Sequence, residues 1–255
     1  MMKKMLLFAI IAVLIAACGS KQPKKDIVPK DAISMYKSMP GDSALYGLAC
    51  DGCTDSVLVF LPYAGGDPDT FDIIDARQQG RVYGRPRIGD ELAVMVNPED
   101  PEEALMVINI KELTGEWCYM VEPTFRSSDM VPHRMQQRLM ERLPDSMRQQ
   151  LLTPREYTLR LKSDFTALAM GARRRTTTDD MSPVEYPAMK RYTEWHIYNG
   201  QIILKADTIS GFSEEGAKPE TDTATIKLLM KDTLVLAFPD HEQSYYRKPD
   251  FNKPQ

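Results

Sequence analysis

The chain has 255 residues, 43% of them apolar and 27% charged, which is ordinary globular usage and excludes a collagen-like, low-complexity or wholly disordered chain. Its formal charge is −4, from 32 basic and 36 acidic residues, whereas a nucleic-acid binder carries a basic excess. Four cysteines are too few for a disulfide scaffold, and three histidines, His133, His196 and His241, leave few groups for metal or general-base chemistry.

The first residues carry an address. Met1-Met2-Lys3-Lys4 is a short cationic start, and Met5 to Ala17 is an apolar run. That run fits a signal-peptide core and falls short of the roughly 20 residues a membrane-spanning helix needs. It ends in Leu14-Ile15-Ala16-Ala17-Cys18-Gly19-Ser20, which closely resembles the bacterial lipobox. The resemblance implies a signal peptide over 1–17, cleavage before Cys18 and diacylation of its thiol. The mature protein is then tied to the membrane by a lipid anchor, with the outer membrane as its expected location. Losing Lys3 and Lys4 takes the formal charge from −4 to −6. Residues 18–35, polar with prolines and lysines, read as a lipidated tether.

Residues 36–111 read as short strands with turn punctuation. Ser43–Cys50 and Thr54–Leu61 flank Asp51-Gly52, a two-residue hairpin signal. Thr70–Asp75, Leu92–Val96 and Ala104–Ile110 are three more β-like runs. Five short strands without a convincing helix predict a small barrel of oligonucleotide-binding-fold or SH3-like type. The basic and aromatic interleaving of a nucleic-acid surface is missing, so no nucleic-acid partner is expected.

Cys50-Asp51-Gly52-Cys53 admits three readings. A thioredoxin-like site would put the second cysteine on a helix, but a strand pattern follows it. A zinc site needs further cysteine or histidine ligands at matching spacing, and only Cys118 is left over. Residues flanking a two-residue turn face each other about 5.5 Å apart, which suits a disulfide. The expectation is therefore a Cys50–Cys53 disulfide locking the hairpin end.

Residues 112–248 change pattern. Glu116–Val121 is a strand. Residues 129–143 read as a helix with Met135, Leu139 and Leu143 on one stripe, and 145–152 as a second short helix after Pro144. Strands then follow in close succession: Tyr157–Lys162, Phe165–Met170, Tyr192–Tyr198, Gln201–Ala206, Thr223–Met230, Thr233–Phe238 and Ser244–Lys248. Asn199-Gly200 is the clearest hairpin turn among them. Eight sequential antiparallel strands with one helical insertion predict an up-and-down barrel, wide enough for side chains or one small ligand. Residues 249–255 are a tail. The predicted fold class is mainly β, a five-stranded barrel followed by an eight-stranded one.

Gly115-Glu116-Trp117 on the first of these strands resembles the G-x-W of lipocalins. Arg247, in Tyr245-Tyr246-Arg247-Lys248, stands where that family often stacks an arginine on the tryptophan. The region from Leu113 to Lys248 looks like the lipocalin-like domains of bacterial lipoproteins. The match implies a Trp117–Arg247 cation–π pair at the closed end of the barrel, worth roughly 0.5–2 kcal/mol. A lipobox, a C-x-x-C and such a barrel in one chain are also similar to envelope-stress lipoproteins linked to copper, in which the barrel comes first; here the order is reversed.

The leading functional expectation is a non-enzymatic cell-envelope lipoprotein that binds a small apolar ligand or supports envelope assembly. Inward candidates for a ligand pocket are Tyr157, Leu159, Phe165, Trp195, Ile197, Ile226 and Leu236. An envelope protein is the alternative partner, with Arg173-Arg174-Arg175 as a basic loop for an acidic one. A hydrolase is the third reading, but the chain has no G-x-S-x-G, H-E-x-x-H or P-loop pattern. No catalytic residue, metal ligand or cofactor is assigned; His196 reads as a surface residue, and Asp240-His241-Glu242 and Gly89-Asp90-Glu91 as solvated turns.

Overall fold

The computed structural model describes residues 39–125, 152–171, 184–187, 189–206 and 220–248, and residues 134, 135, 138, 141–146 and 149 between them. The expected signal peptide, Cys18, the tether, Arg173–Arg175 and the tail lie outside the described residues. So do most of the two expected helices. The described residues 134, 135, 138 and 141 are helical, as are 145, 146 and 149, with Met135 exposed and Leu143 half-buried. No helix among the described residues is long and apolar enough to cross a membrane.

The protein is mainly β, in two sheets. The first comprises β1 (Leu45–Ala49), β2 (Val57–Pro62), β3 (Asp69–Asp72), β4 (Val82–Tyr83), β5 (Glu91–Val96) and β6 (Ala104–Asn109), in the order β3-β2-β1-β5-β6-β4. It is mixed, because β4 runs parallel to β6 while the other pairs are antiparallel. The five expected strands are present, and β4 makes a sixth. It lies in the turn-rich stretch before Gly84, where two residues give no alternation to read. A helix also interrupts the expected strand Thr70–Asp75. The Asp72 carboxylate accepts the backbone N–H of Ile74 at 2.7 Å, and α1 (Ile74–Gln78) begins there.

The expected Cys50–Cys53 disulfide is absent; both thiols are free. The turn is not the two-residue one. Thr54 Oγ1 accepts the N–H groups of Ser56 and Val57, which closes a second turn and delays β2 to Val57. Cys50 then pairs across to Val59, its N–H donating to the Val59 carbonyl at 2.8 Å. Cys53 folds beneath this pair, its thiol 3.2 Å from the Cys50 carbonyl and 3.4 Å from that of Val59. The two cysteines are thus stacked within one loop rather than facing each other across a hairpin.

The connection to the second sheet is α2 (Ile110–Leu113). Buried Asn109 starts it, its side-chain oxygen accepting the Glu112 N–H at 2.9 Å. The second sheet comprises β7 (Gly115–Val121), β9 (Arg155–Leu161), β10 (Ala167–Met170), β12 (Tyr192–Tyr198), β13 (Gln201–Ala206), β14 (Glu220–Leu229), β15 (Thr233–Ala237) and β16 (Glu242–Arg247). Between them β8 (Thr124–Phe125) and β11 (Val184–Glu185) pair as a separate two-stranded ribbon. The eight strands run β10-β9-β7-β16-β15-β14-β13-β12, each antiparallel to its neighbours. The ends of that order meet at a bridge between Thr166 and Glu194, and the Trp195 N–H donates to the Phe165 carbonyl at 2.9 Å. The result is a nearly closed barrel. At Asn199-Gly200 both residues have positive φ, 48° and 76°, as a tight two-residue hairpin requires.

The small sheet plugs one end of the barrel. One face of β5 and β6 supplies Leu92, Val94 and Val107 to a core shared with Phe60, Phe71 and Ile73. The opposite face sends Ala93 and Ile108, with Tyr83, Ile110 and Leu113, into the same hydrophobic cluster as Trp117, Leu161, Trp195, Ile202 and Leu234 of the barrel. Polar contacts stitch the junction. The Tyr46 hydroxyl lies 2.6 Å from an Asp42 carboxylate oxygen and 2.9 Å from the Ile197 carbonyl, and Asn199 Oδ1 accepts from Ser43 N and Oγ.

Candidate functional site

The two ends of the barrel differ in chemistry. At the plugged end Trp117, Leu159, Leu161, Trp195, Ile202, Leu204, Ile226, Leu234 and Leu236 are all 0–1% exposed and form one packed cluster. Arg247 lies on the Trp117 ring, its guanidinium carbon 4.1 Å from the centroid. Gly115 permits this. Its φ is +144°, and a Cβ there would sit 2.2 Å from an Arg247 nitrogen.

The expected pocket residues sit in this interior. Leu159, Trp195, Ile197, Ile226 and Leu236 are buried in the cluster, and Tyr157 is buried against Tyr119. Phe165 is displaced from its expected strand. It occupies the β9–β10 loop at φ 60°, packed against the cluster, with its ring 5.1 Å from Trp195 and stacked 5.6 Å from His196. It therefore lines the seam where the barrel closes.

The other end is built from tyrosines, of which the sequence reading picked out only Tyr157. Tyr157 on β9 lies opposite Tyr119 on β7, whose other neighbour is Tyr245 on β16. Tyr119 meets both rings edge-on, at 5.7 Å to Tyr157 and 5.2 Å to Tyr245. Tyr192 on β12 completes the layer, its hydroxyl donating to an Asp222 carboxylate oxygen at 2.6 Å. Burial pushes all three of the Tyr119, Tyr192 and Tyr245 phenols up, Tyr119 to about 12; at Tyr192 the bond to Asp222 adds to this. Each therefore stays a protonated donor. The missed signal is simple. If Trp117 and Arg247 point inward, strand alternation turns Tyr119 and Tyr245 inward too.

A strap crosses this end. The two residues of β11 pair with β8, and Arg155 lies 3.8 Å over the Tyr186 ring. The Tyr186 hydroxyl donates to the Thr153 carbonyl and the Tyr157 hydroxyl to the Pro187 carbonyl, at 2.5 and 2.7 Å. Met189 packs onto the barrel cluster. Lys190 then reaches the far side, donating to Glu220 and Asp222 at 2.8 and 2.7 Å.

The other singled-out residues serve structure or stand apart. His196 lies on the outer face, 3.7 Å from Glu194. His241 stacks on Phe238 and pairs with exposed Asp240. Asp90 accepts from the Asn109 amide at 2.8 Å and holds the turn before β5. Among the described residues there is no group of three or more His, Cys, Asp or Glu side chains arranged to hold a metal ion.

Known proteins give no further anchor. No family model, curated protein or solved structure matches this chain. Its geometry has to carry the functional reading.

Proposed function

We propose that this chain is a non-enzymatic, lipid-anchored cell-envelope protein with a lipocalin-like barrel, receiving a small, mainly apolar ligand at the strapped end. The observation that carries the reading is the asymmetry of the barrel. One end is filled with tryptophans and aliphatic side chains and plugged by the small sheet. The other is floored by tyrosines and covered by a strap held through a few side-chain contacts. Ligand pockets of this kind combine an apolar wall with a few convergent polar groups. The Trp117–Arg247 stack beside Gly115 supports the lipocalin-like assignment.

For the small sheet, the order β3-β2-β1-β5-β6 and the parallel bridge between Asp72 and Glu103 support an oligonucleotide-binding-type barrel. In this chain its role is to close the larger barrel, and the net negative charge argues against a nucleic-acid ligand.

Native mass spectrometry of the protein extracted gently from its host tests the ligand reading. A co-purifying apolar molecule is expected. Its absence, together with no thermal shift on adding neutral hydrophobic probes, would overturn the reading. Anchoring is tested separately, by incorporation of a fatty-acid analogue that Cys18→Ala abolishes.

A second reading is docking of an envelope protein. It is favoured by the exposed apolar side chains Met120, Met170 and Tyr246, 53%, 40% and 40% exposed, on the outer side of the barrel around buried Cys118 and Thr158. Crosslinking in cells followed by capture would recover such a partner.

A further inference from the structure

Among the described residues, two tyrosine hydroxyls on the floor of the strapped end have no hydrogen-bond partner. Tyr245 is only 6% exposed, and Tyr119 beside it is half-buried. The other two tyrosines of the layer are satisfied, Tyr157 by Pro187 and Tyr192 by Asp222. Neither hydroxyl oxygen is among the fully buried unpartnered atoms, so each keeps accessible surface, and an unpaired hydroxyl on an otherwise buried ring beside a covered opening marks a place for a partner. Both phenols keep their protons through neutral pH, so each offers a donor to an incoming acceptor.

The surrounding charges restrict what that acceptor can be. Asp222 belongs to the same end of the barrel, and its side chain is 19% exposed. Lys190, the ammonium nearest it, already serves two carboxylates, Glu220 and Asp222. Arg155 lies over the Tyr186 ring, and Arg247 is held at the opposite end on the α2 carbonyls. No free guanidinium among these is placed to receive an anion. A ligand carboxylate would add a third negative charge beside Glu220 and Asp222, with Lys190 already shared between those two, whereas a ketone, ester, amide or alcohol oxygen would add no charge and could still accept from the two phenols.

Resting on the ligand-binding reading above, we infer that Tyr119 and Tyr245 together take the polar end of an uncharged ligand, one with an aliphatic body and a carbonyl or hydroxyl oxygen. Its apolar body would lie beneath the strap, against Met189 and the rim of the barrel. Fatty acids in their ionised form would be rejected.

The test uses the full mature chain in lipid nanodiscs, with its tyrosines carbon-13 labelled at the hydroxyl-bearing carbon. Octan-2-one and octanoate serve as probes. Octan-2-one is expected to shift the Tyr119 and Tyr245 resonances saturably, with octanoate at least roughly fivefold weaker. Tyr245→Phe keeps the ring and removes an unpaired hydroxyl, so its melting temperature should hold or rise while its affinity for octan-2-one drops by roughly fivefold. Tyr119→Phe is the second variant, with the same expectation. If octanoate binds as well as octan-2-one, the ligand class is wrong and the ligand-binding reading survives. If both variants bind octan-2-one like the parent, the role of the two hydroxyls is wrong. If neither probe moves any tyrosine resonance, this inference is overturned; only the native-mass and thermal-shift result decides whether the ligand-binding reading falls with it.

Discussion

Arg247 lies flat on Trp117, and the two side chains together hold three consecutive carbonyls at the end of α2. Arg247 donates to the carbonyls of Glu112 and, at 2.9 Å, Thr114; Trp117 Nε1 donates to that of Leu113 at 2.8 Å. The last residue of β16 thereby fastens the first turn before β7. Arginine suits the task, because one planar fork stacks on a ring and donates in its own plane.

Arg247→Ala is therefore expected to destabilise the protein by about 2–4 kcal/mol, from two charge-assisted hydrogen bonds and the ring contact. Arg247→Lys should recover less than half of that. Urea denaturation followed by tryptophan fluorescence measures both, and a loss under about 0.5 kcal/mol for the alanine variant would contradict the clamp. Gly115→Ala should also be costly, since its Cβ would strike the Arg247 guanidinium and its φ of +144° strains any L side chain.

Asn109 is buried and fully used. Its amide nitrogen donates to the Arg85 carbonyl and the Asp90 carboxylate at 3.0 and 2.8 Å, and its oxygen caps α2. Asn109→Leu keeps the volume but leaves the Asp90 carboxylate only the Arg87 N–H and strands the Glu112 N–H. A loss of about 2–3 kcal/mol is expected in the same denaturation assay. Asp90→Asn should cost less, because its amide oxygen can still accept.

Leu113 belongs to α2 yet is wholly buried in the cluster that contains Trp117 and Trp195. The small sheet and the barrel thus share one core and should unfold as one unit. Calorimetry should give a single transition. Leu113→Ala should lower its stability by about 2–5 kcal/mol without splitting it. Two resolved transitions in the parent protein would show that the sheets fold independently.

His196 sits between the Phe165 ring and the ions Glu194 and Lys205 on the outer face of the seam. Burial and, secondarily, the Lys205 charge hold its imidazole below the ordinary value near 6.5, against the pull of Glu194. The folded protein then binds fewer protons than the unfolded chain in mildly acid solution. The contribution of His196 is fully present above the unfolded value and is lost as pH falls through the folded one. The urea midpoint should decline from about pH 7.5 to about pH 5.5, and less so in His196→Gln. An imidazole titration by NMR with its midpoint above 6.5 would reverse the sign.

Much of the barrel was legible because its cues are local. The alternation in Tyr157–Leu161 and the Asn199-Gly200 turn each specify a strand or a turn over a few residues, and the structure has them there. Phe165 fails for an identifiable reason. Its apolar ring continues the β10 pattern, but its backbone is committed to the loop that closes the barrel seam. The hairpin at Cys50 fails similarly. Asp51-Gly52 is a turn signal, but the hydroxyl of Thr54 captures two backbone donors and moves the turn onward.

The runs Leu92–Val96 and Ala104–Ile110 held a cue that went unused. They are apolar without alternation, as befits strands buried on both faces, here between their own core and the barrel. By itself, then, the sequence determined the longer strands, most turns, their order and the mainly β class, because pattern and turn chemistry act over a few residues, while the two-residue strands β4, β8 and β11 are too short to show a pattern. Only the tertiary structure decided which barrel end is plugged and which tyrosines share a layer. It also decided whether Cys50 and Cys53 face each other. Those outcomes depend on strand register and on contacts between residues as distant as Trp117 and Arg247, which no local pattern encodes.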